Sequence, residues 1–233
     1  MQAPLSFQRI ADLDCLVTPF DEERGTIILL HGYGANFQDL AGLAPMVDRQ
    51  NQWNWIFPNG ILEVPIGPHT MGRAWFPIDM EALQRQLMGG EVRSFASHIP
   101  TGLAGARDQI GQLIESLPQD LTRIVVGGFS QGAMISCHAS LCLSENPKAL
   151  LQLSSTLVAK ANCNDLMHQH QGLQVFQSHG QNDPILPITA ARELHQLFQD
   201  AGAEVDYSEF AGGHEIPLPV LQRLQGYLQS LRS

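Results

Sequence analysis

Charge is scarce in this chain, and positive charge scarcer still. Only 15% of the 233 residues are charged, and 13 Lys and Arg face 23 Asp and Glu, a formal net charge of −10. A surface of that sign repels nucleic acid and anionic membranes, so neither is expected as a partner. No apolar run approaches the ~20 residues of a membrane-spanning helix, which excludes stable membrane insertion. The opening Met1-Gln2-Ala3-Pro4-Leu5 has neither the cationic start nor the apolar stretch of a secretion signal, and a cytoplasmic protein is expected. Cysteine is limited to Cys15, Cys137, Cys142 and Cys163, at spacings that fit no zinc or redox motif. Free thiols follow, with Cys137 packed as a small hydrophobe. Internal repeats, low-complexity stretches and linkers are absent as well. With 44% hydrophobic residues, what remains is one well-buried domain over residues 1–233.

Short apolar runs alternate with amphipathic segments, the signature of βαβ units around a mostly parallel sheet. Strands are predicted at 13–18, 26–31, 53–57, 122–129, 149–153, 174–179 and 204–210. Helical spacing of apolar residues predicts helices at 37–47, 102–117, 131–143, 188–199 and 216–231. Residues 58–78, rich in Pro and Gly, read as a long irregular loop, and loops of that length in compact domains usually serve function. Residues 162–171 read as a polar surface loop. The sequence leaves open whether residues 79–101 are a partial lid or a plain connection.

The feature that stands out is Gly128-Phe129-Ser130-Gln131-Gly132, directly after the apolar run Ile124-Val125-Val126. By accident alone, about one chain in ten of this glycine content would carry Gly-x-Ser-x-Gly. Placed between a buried strand and a helix, however, the pattern is a nucleophile elbow, whose turn leaves little room for side chains two positions either side of the serine. A hydroxyl is a poor nucleophile at neutral pH, so Ser130 needs a base. Among nine histidines, His214 in Gly212-Gly213-His214-Glu215 lies in a flexible loop after the last strand. His195 lies within a helix, and His138 points away from the serine along the elbow helix. The base needs an acceptor in turn, and Asp183 follows the strand ending at His179. Asp165, Asp200 and Asp206 leave no strand's C-terminal end. The order Ser130, Asp183, His214 is that of the α/β-hydrolases.

An oxyanion needs backbone N–H groups aimed at it beforehand. Gln131, at the positive end of the elbow helix, offers one, and Tyr33 in His31-Gly32-Tyr33-Gly34 offers the other. A dinucleotide loop at Gly32-Tyr33-Gly34 is excluded, because the third glycine is missing at Phe37 and no acid follows at the required distance. Cys163, His168 and His170 lack a fourth ligand and do not read as a metal site. Trp75 and Phe76 either line a substrate pocket or anchor their loop.

Taken together, these motifs resemble the phospholipase/carboxylesterase family of α/β-hydrolases, nearly end to end. The likeness rests on Leu30-His31-Gly32-Tyr33-Gly34, Arg73-Ala74-Trp75-Phe76, the Gly-Phe-Ser-Gln-Gly elbow, Gly180-Gln181-Asn182-Asp183-Pro184 and Gly212-Gly213-His214. The resemblance implies an α/β-hydrolase fold with helices on both faces of the sheet. It also implies a Ser130–His214–Asp183 triad, backbone donors from Tyr33 and Gln131, and an acyl pocket bordered by the Trp75-Phe76 loop. Two departures stand out. Ala133 occupies a position that is commonly glycine, and Pro77-Ile78 separate the Trp-Phe pair from Asp79. The expected function is hydrolysis of small-molecule or lipid carboxylic esters, with no metal or organic cofactor. The alternatives are a thioesterase acting on acylated proteins or acyl-CoA, a lysophospholipase, or a binding protein that has lost catalysis on the same fold.

Overall fold

The structure is a computed structural model and describes residues 4–79 and 99–232. Its centre is an eight-stranded sheet in the order β1-β2-β4-β3-β7-β8-β9-β10. The strands are β1 (Ser6–Ile10), β2 (Leu13–Val17), β3 (Gly25–Leu30), β4 (Trp53–Pro58), β7 (Ile124–Phe129), β8 (Ala149–Leu153), β9 (Gln174–Gly180) and β10 (Glu204–Phe210). β1 and β2 enter antiparallel, and the six strands from β4 to β10 run parallel. The order reverses at β3, where the chain turns from one half of the sheet to the other. Ligands of open α/β sheets bind outside the carboxyl ends of strands near such a reversal.

Side-chain period two divides the apolar strands between two helical layers. Ile28, Leu30, Ile124 and Val126 face α2 (Leu103–Glu115) and α3 (Gln131–Ser140). Ile27, Leu29, Val125 and Leu151 face the opposite layer, where α1 (Ala44–Val47) and α6 (Leu218–Ser230) pack. A further cluster joins Leu150 and Val175 to α3, α4 (Lys160–Met167) and α5 (Ile188–Asp200). The helices therefore cover both faces, as the resemblance implies. Among the described residues no helix is long and apolar enough to cross a membrane.

Several elements differ from the sequence expectation, each for a local reason. The helix expected at 37–47 is reduced to a 3₁₀ turn, Ala41–Leu43, and the short α1. Pro45 has no N–H to donate to a preceding turn, so it is accommodated only near the start of a helix. The last helix begins at Leu218 rather than 216, because Pro217 stands at its N-cap and Pro219 in its first turn. The supposed loop 58–78 contains a hairpin, β5 (Leu62–Gly67) and β6 (Thr70–Ala74), standing apart from the main sheet. Leu62, Val64 and Ile66 alternate with period two there, and Pro65 is tolerated because a two-stranded ribbon is all edge. The supposed polar loop at 162–171 contains part of α4, and Cys163, Met167 and His170 are buried. β1 has no counterpart in the sequence reading, since its residues are exposed except for half-buried Ile10. The candidate lid falls mostly at 80–98, outside the described residues.

Candidate active site

β7 ends in a turn that forces Ser130 to φ 55°, ψ −121°, a backbone state that side chains rarely adopt. The turn is this tight because α3 starts directly beneath the sheet edge. A Cβ at Gly132 would lie 2.1 Å from Leu30 O, and one at Gly128 would lie 2.4 Å from Gly132 C. Glycine at both positions is what lets strand and helix meet. The Ser130 N–H continues the ladder to Leu153 O at 2.9 Å, so the serine stands on a rigid base.

β9 and β10 are parallel neighbours whose last residues, Gly180 and Phe210, pair in register. Their following loops thus leave the same rim side by side, tied by Gln181 N–H to Phe210 O at 2.8 Å and Asn182 N–H to Gly212 O at 2.9 Å. Asp183 rides on the first loop and His214 on the second. His214 Nδ1 lies 2.6 Å from Asp183 Oδ2, and its Nε2 lies 2.8 Å from Ser130 Oγ. A carboxylate only accepts, so Nδ1 carries the proton and Nε2 is left to accept from the hydroxyl. Phe129 packs on the imidazole at a centroid distance of 4.8 Å.

Asp183 has a completely buried side chain. Burial alone would raise its pKa. The hydrogen bond from His214, those from the Leu186 and Ile185 N–H groups at 2.9 and 2.8 Å, and the attraction of His214 outweigh it, and the carboxyl sits below its ordinary value. Asp183 is therefore an anion at neutral pH.

Above Ser130 opens a cavity of about 170 Å³. Ile78, Phe129, Met134, Ile185 and Leu186 give it an apolar side, and Gly32, Tyr33, Ala35, Asp39, Gln131 and His214 supply the rest. Burial raises the pKa of Asp39 at this wall. The main-chain N–H groups of Tyr33 and Gln131 belong to residues on this cavity. Neither has a hydrogen-bond partner among the described residues.

The loop carrying Tyr33 is held from behind. Gly34 N–H reaches Arg73 O at 2.8 Å, and Arg73 N–H reaches Ala35 O at 2.7 Å, so β6 clamps it. His31 is buried, with Nδ1 at 2.7 Å from Gly32 O and Nε2 accepting Gly60 N–H at 2.9 Å. Burial drives its pKa down to about 4, and the ring is neutral. The sequence reading used His31 as part of a motif but gave it no task. Its signal was a polar residue ending a fully apolar strand.

Trp75 and Phe76 have no exposed surface and do not line the cavity. They pack in the core with Leu103 and Ile110, and the Trp75 indole N–H is bonded to His31 O at 2.9 Å. The pair anchors the loop, and the chain reaches the cavity two residues later, at Ile78. Ile78, part of the Pro77-Ile78 departure noted in the sequence, thus joins the cavity's apolar side.

The residues set aside in the sequence reading stand apart from this site. His138 is buried on α3 with Nε2 at 2.7 Å from Val158 O, and His195 stacks on Tyr207. Cys163 lies against His138, whereas His170 bonds Asn146 and Leu141 O, and His168 is exposed. Among the described residues no group of three or more His, Cys, Asp or Glu is arranged to hold a metal ion. Cys15, Cys137 and Cys163 are buried free thiols, and Cys142 is exposed.

The chain is similar to acyl-protein thioesterase 1 of Gibberella zeae, 26% identical over 97% of both chains. To acyl-protein thioesterase 1 of Mycosarcoma maydis it is 31% identical, over 69% of this chain and 70% of the relative. Among solved structures, esterase PE8 superposes with a TM-score of 0.74 at 22% identity, covering 97% of this chain and 99% of that one. The Bacillus cereus carboxylesterase superposes with a TM-score of 0.68 at 22% identity, covering 98% and 94%. Residues 12–232 match the phospholipase/carboxylesterase family. The chain belongs to that family and has the α/β-hydrolase fold.

Proposed function

We propose that the protein is a serine hydrolase that cleaves carboxylic esters through an acyl-enzyme on Ser130. The observation that carries this reading is the unbroken hydrogen-bonded line from Ser130 through His214 to Asp183, at 2.8 and 2.6 Å. As Ser130 Oγ bonds to the ester carbonyl carbon, its proton passes to His214 Nε2. The imidazolium is balanced by Asp183, which stays ionised. The carbonyl oxygen becomes an anion and is met by the Tyr33 and Gln131 N–H groups, each worth about 3 kcal/mol of barrier by comparison with measured oxyanion donors. His214 then gives the proton to the leaving alkoxide as the carbon–oxygen bond breaks. Water then gives its proton to His214 as its oxygen bonds the acyl carbon. The adduct collapses by breaking the Ser130 Oγ–carbon bond, while His214 returns the proton to Oγ and the carboxylic acid leaves. The apolar wall of Ile78, Met134, Ile185 and Leu186 suits an acyl chain, which points to a small-molecule or lipid ester.

A second reading is thioester hydrolysis on an acylated protein, favoured by the similarity to acyl-protein thioesterases. The chemistry is the same acyl transfer with a better leaving group. Comparing kcat/KM on matched esters and thioesters of varied acyl length separates the two readings. For either, turnover of p-nitrophenyl acetate is expected to vanish in both Ser130→Ala and His214→Ala. Turnover that survives in Ser130→Ala overturns the nucleophile assignment.

A further inference from the structure

A second histidine reaches the carboxylate oxygen that His214 uses. His179, next to last in β9, is completely buried. Its Nε2 lies 2.8 Å from Leu186 O and 3.3 Å from Asp183 Oδ2. A carbonyl only accepts, so Nε2 carries the proton and donates it to Leu186 O, with the carboxylate oxygen beside it. The other ring nitrogen, Nδ1, is buried without a hydrogen-bond partner. A proton there would be a second buried donor with nothing to receive it, which keeps the ring neutral. The downward pull of burial on its pKa agrees.

Asp183 therefore has three donors and a neighbouring imidazole. Ile185 and Leu186 N–H hold Oδ1, His214 holds Oδ2, and His179 Nε2 lies 3.3 Å from Oδ2. Leu186 is thus held twice, its N–H by Asp183 and its C=O by His179, which fixes the loop against the carboxylate.

We propose that His179 is a positioning residue for Asp183, pinning Leu186 so that its N–H keeps the carboxylate in line with His214. The other charged neighbour of His179 is Glu209, its register partner on β10, whose carboxylate is engaged by Arg192 and the Tyr207 hydroxyl. Asp39 lies on the same cavity as His214. All of these stay in place when His179 alone is changed. The inference rests on the triad reading.

The test uses the geometry of the two amide side chains. Gln places an N–H as many bonds from Cα as His Nε2, and Asn reaches only as far as Nδ1. Full-length His179→Leu, His179→Asn and His179→Gln are assayed on p-nitrophenyl acetate, with rates normalised to sites titrated by a fluorophosphonate. His179→Leu and His179→Asn are expected to lose about tenfold in kcat, the size of loss seen when outer-shell partners of ligating histidines are removed. KM stays within about twofold, because substrate binding is untouched. His179→Gln, whose N–H reaches as far as Nε2, restores kcat. Gln and Asn behaving alike, or a KM that rises as far as kcat falls in His179→Leu, overturns the proposal. The triad reading fails by a different sign, namely turnover that survives in Ser130→Ala.

Discussion

The side-chain carbonyl of Gln131 accepts the main-chain N–H of Trp75 at 3.0 Å, and its amide donates to the next carbonyl, Phe76 O, at 2.7 Å. Gln131, which follows Ser130 and lines the cavity, thus clasps a buried strand end with its side chain. That clasp fixes the first turn of α3 against β6.

Replacing Gln131 with Leu removes the clasp and leaves a buried N–H and a buried C=O without partners. Each such group costs about 1–3 kcal/mol, so a loss of about 3 kcal/mol in unfolding free energy is expected. Urea denaturation at pH 7 measures it. A loss below about 1 kcal/mol shows that the strand end finds other partners.

His31 makes stability depend on pH. Its pKa is about 4 in the folded protein against 6.5 for the unperturbed group, so between those values the unfolded chain binds the extra proton. Stability is then fully present above pH 6.5 and is lost as pH falls toward 4. The full difference amounts to about 3 kcal/mol. Gln at this position keeps an acceptor for Gly60 N–H but cannot titrate. Plots of unfolding free energy against pH should be flatter for His31→Gln in that window. Parallel curves contradict the assignment.

Ser130 occupies a backbone state that only glycine adopts freely, at a strain of about 1–3 kcal/mol. Ser130→Gly is expected to be more stable than Ser130→Ala by about 1 kcal/mol, part of the relief being offset by glycine's unfolded-state entropy. Both variants should be inactive. An alanine variant as stable as the glycine variant means the turn is not strained.

The parts legible in the sequence were those governed by neighbours along the chain. The elbow announces itself because a strand, two glycines and a helix must occur within a few residues. The central strands β3 and β7 hold the continuous apolar runs Ile27 to Leu30 and Ile124 to Val126. Asp183 and His214 were found because each follows a strand. What stayed hidden depends on contacts between distant segments. The clasp joins Gln131 to Trp75, and the His31 ring joins Gly60, with no local trace of either partner. His179 looked like the last residue of a strand, and the turn that follows brings Asp183, four residues on, back beside it. The β5–β6 hairpin did carry a period-two signal, but its Pro and Gly content outweighed it. Pro45 erased most of a helix that the apolar spacing suggested, although the face formed by Leu40, Ala44 and Val47 is still buried.

The most direct test is to find the acyl group itself. The enzyme is mixed with a p-nitrophenyl ester, quenched in acid within the first turnover, digested and analysed by mass spectrometry. The account predicts one added acyl mass on the peptide containing Ser130, absent from the Ser130→Ala protein. An acyl mass on another peptide, or p-nitrophenol release from both proteins alike, contradicts it.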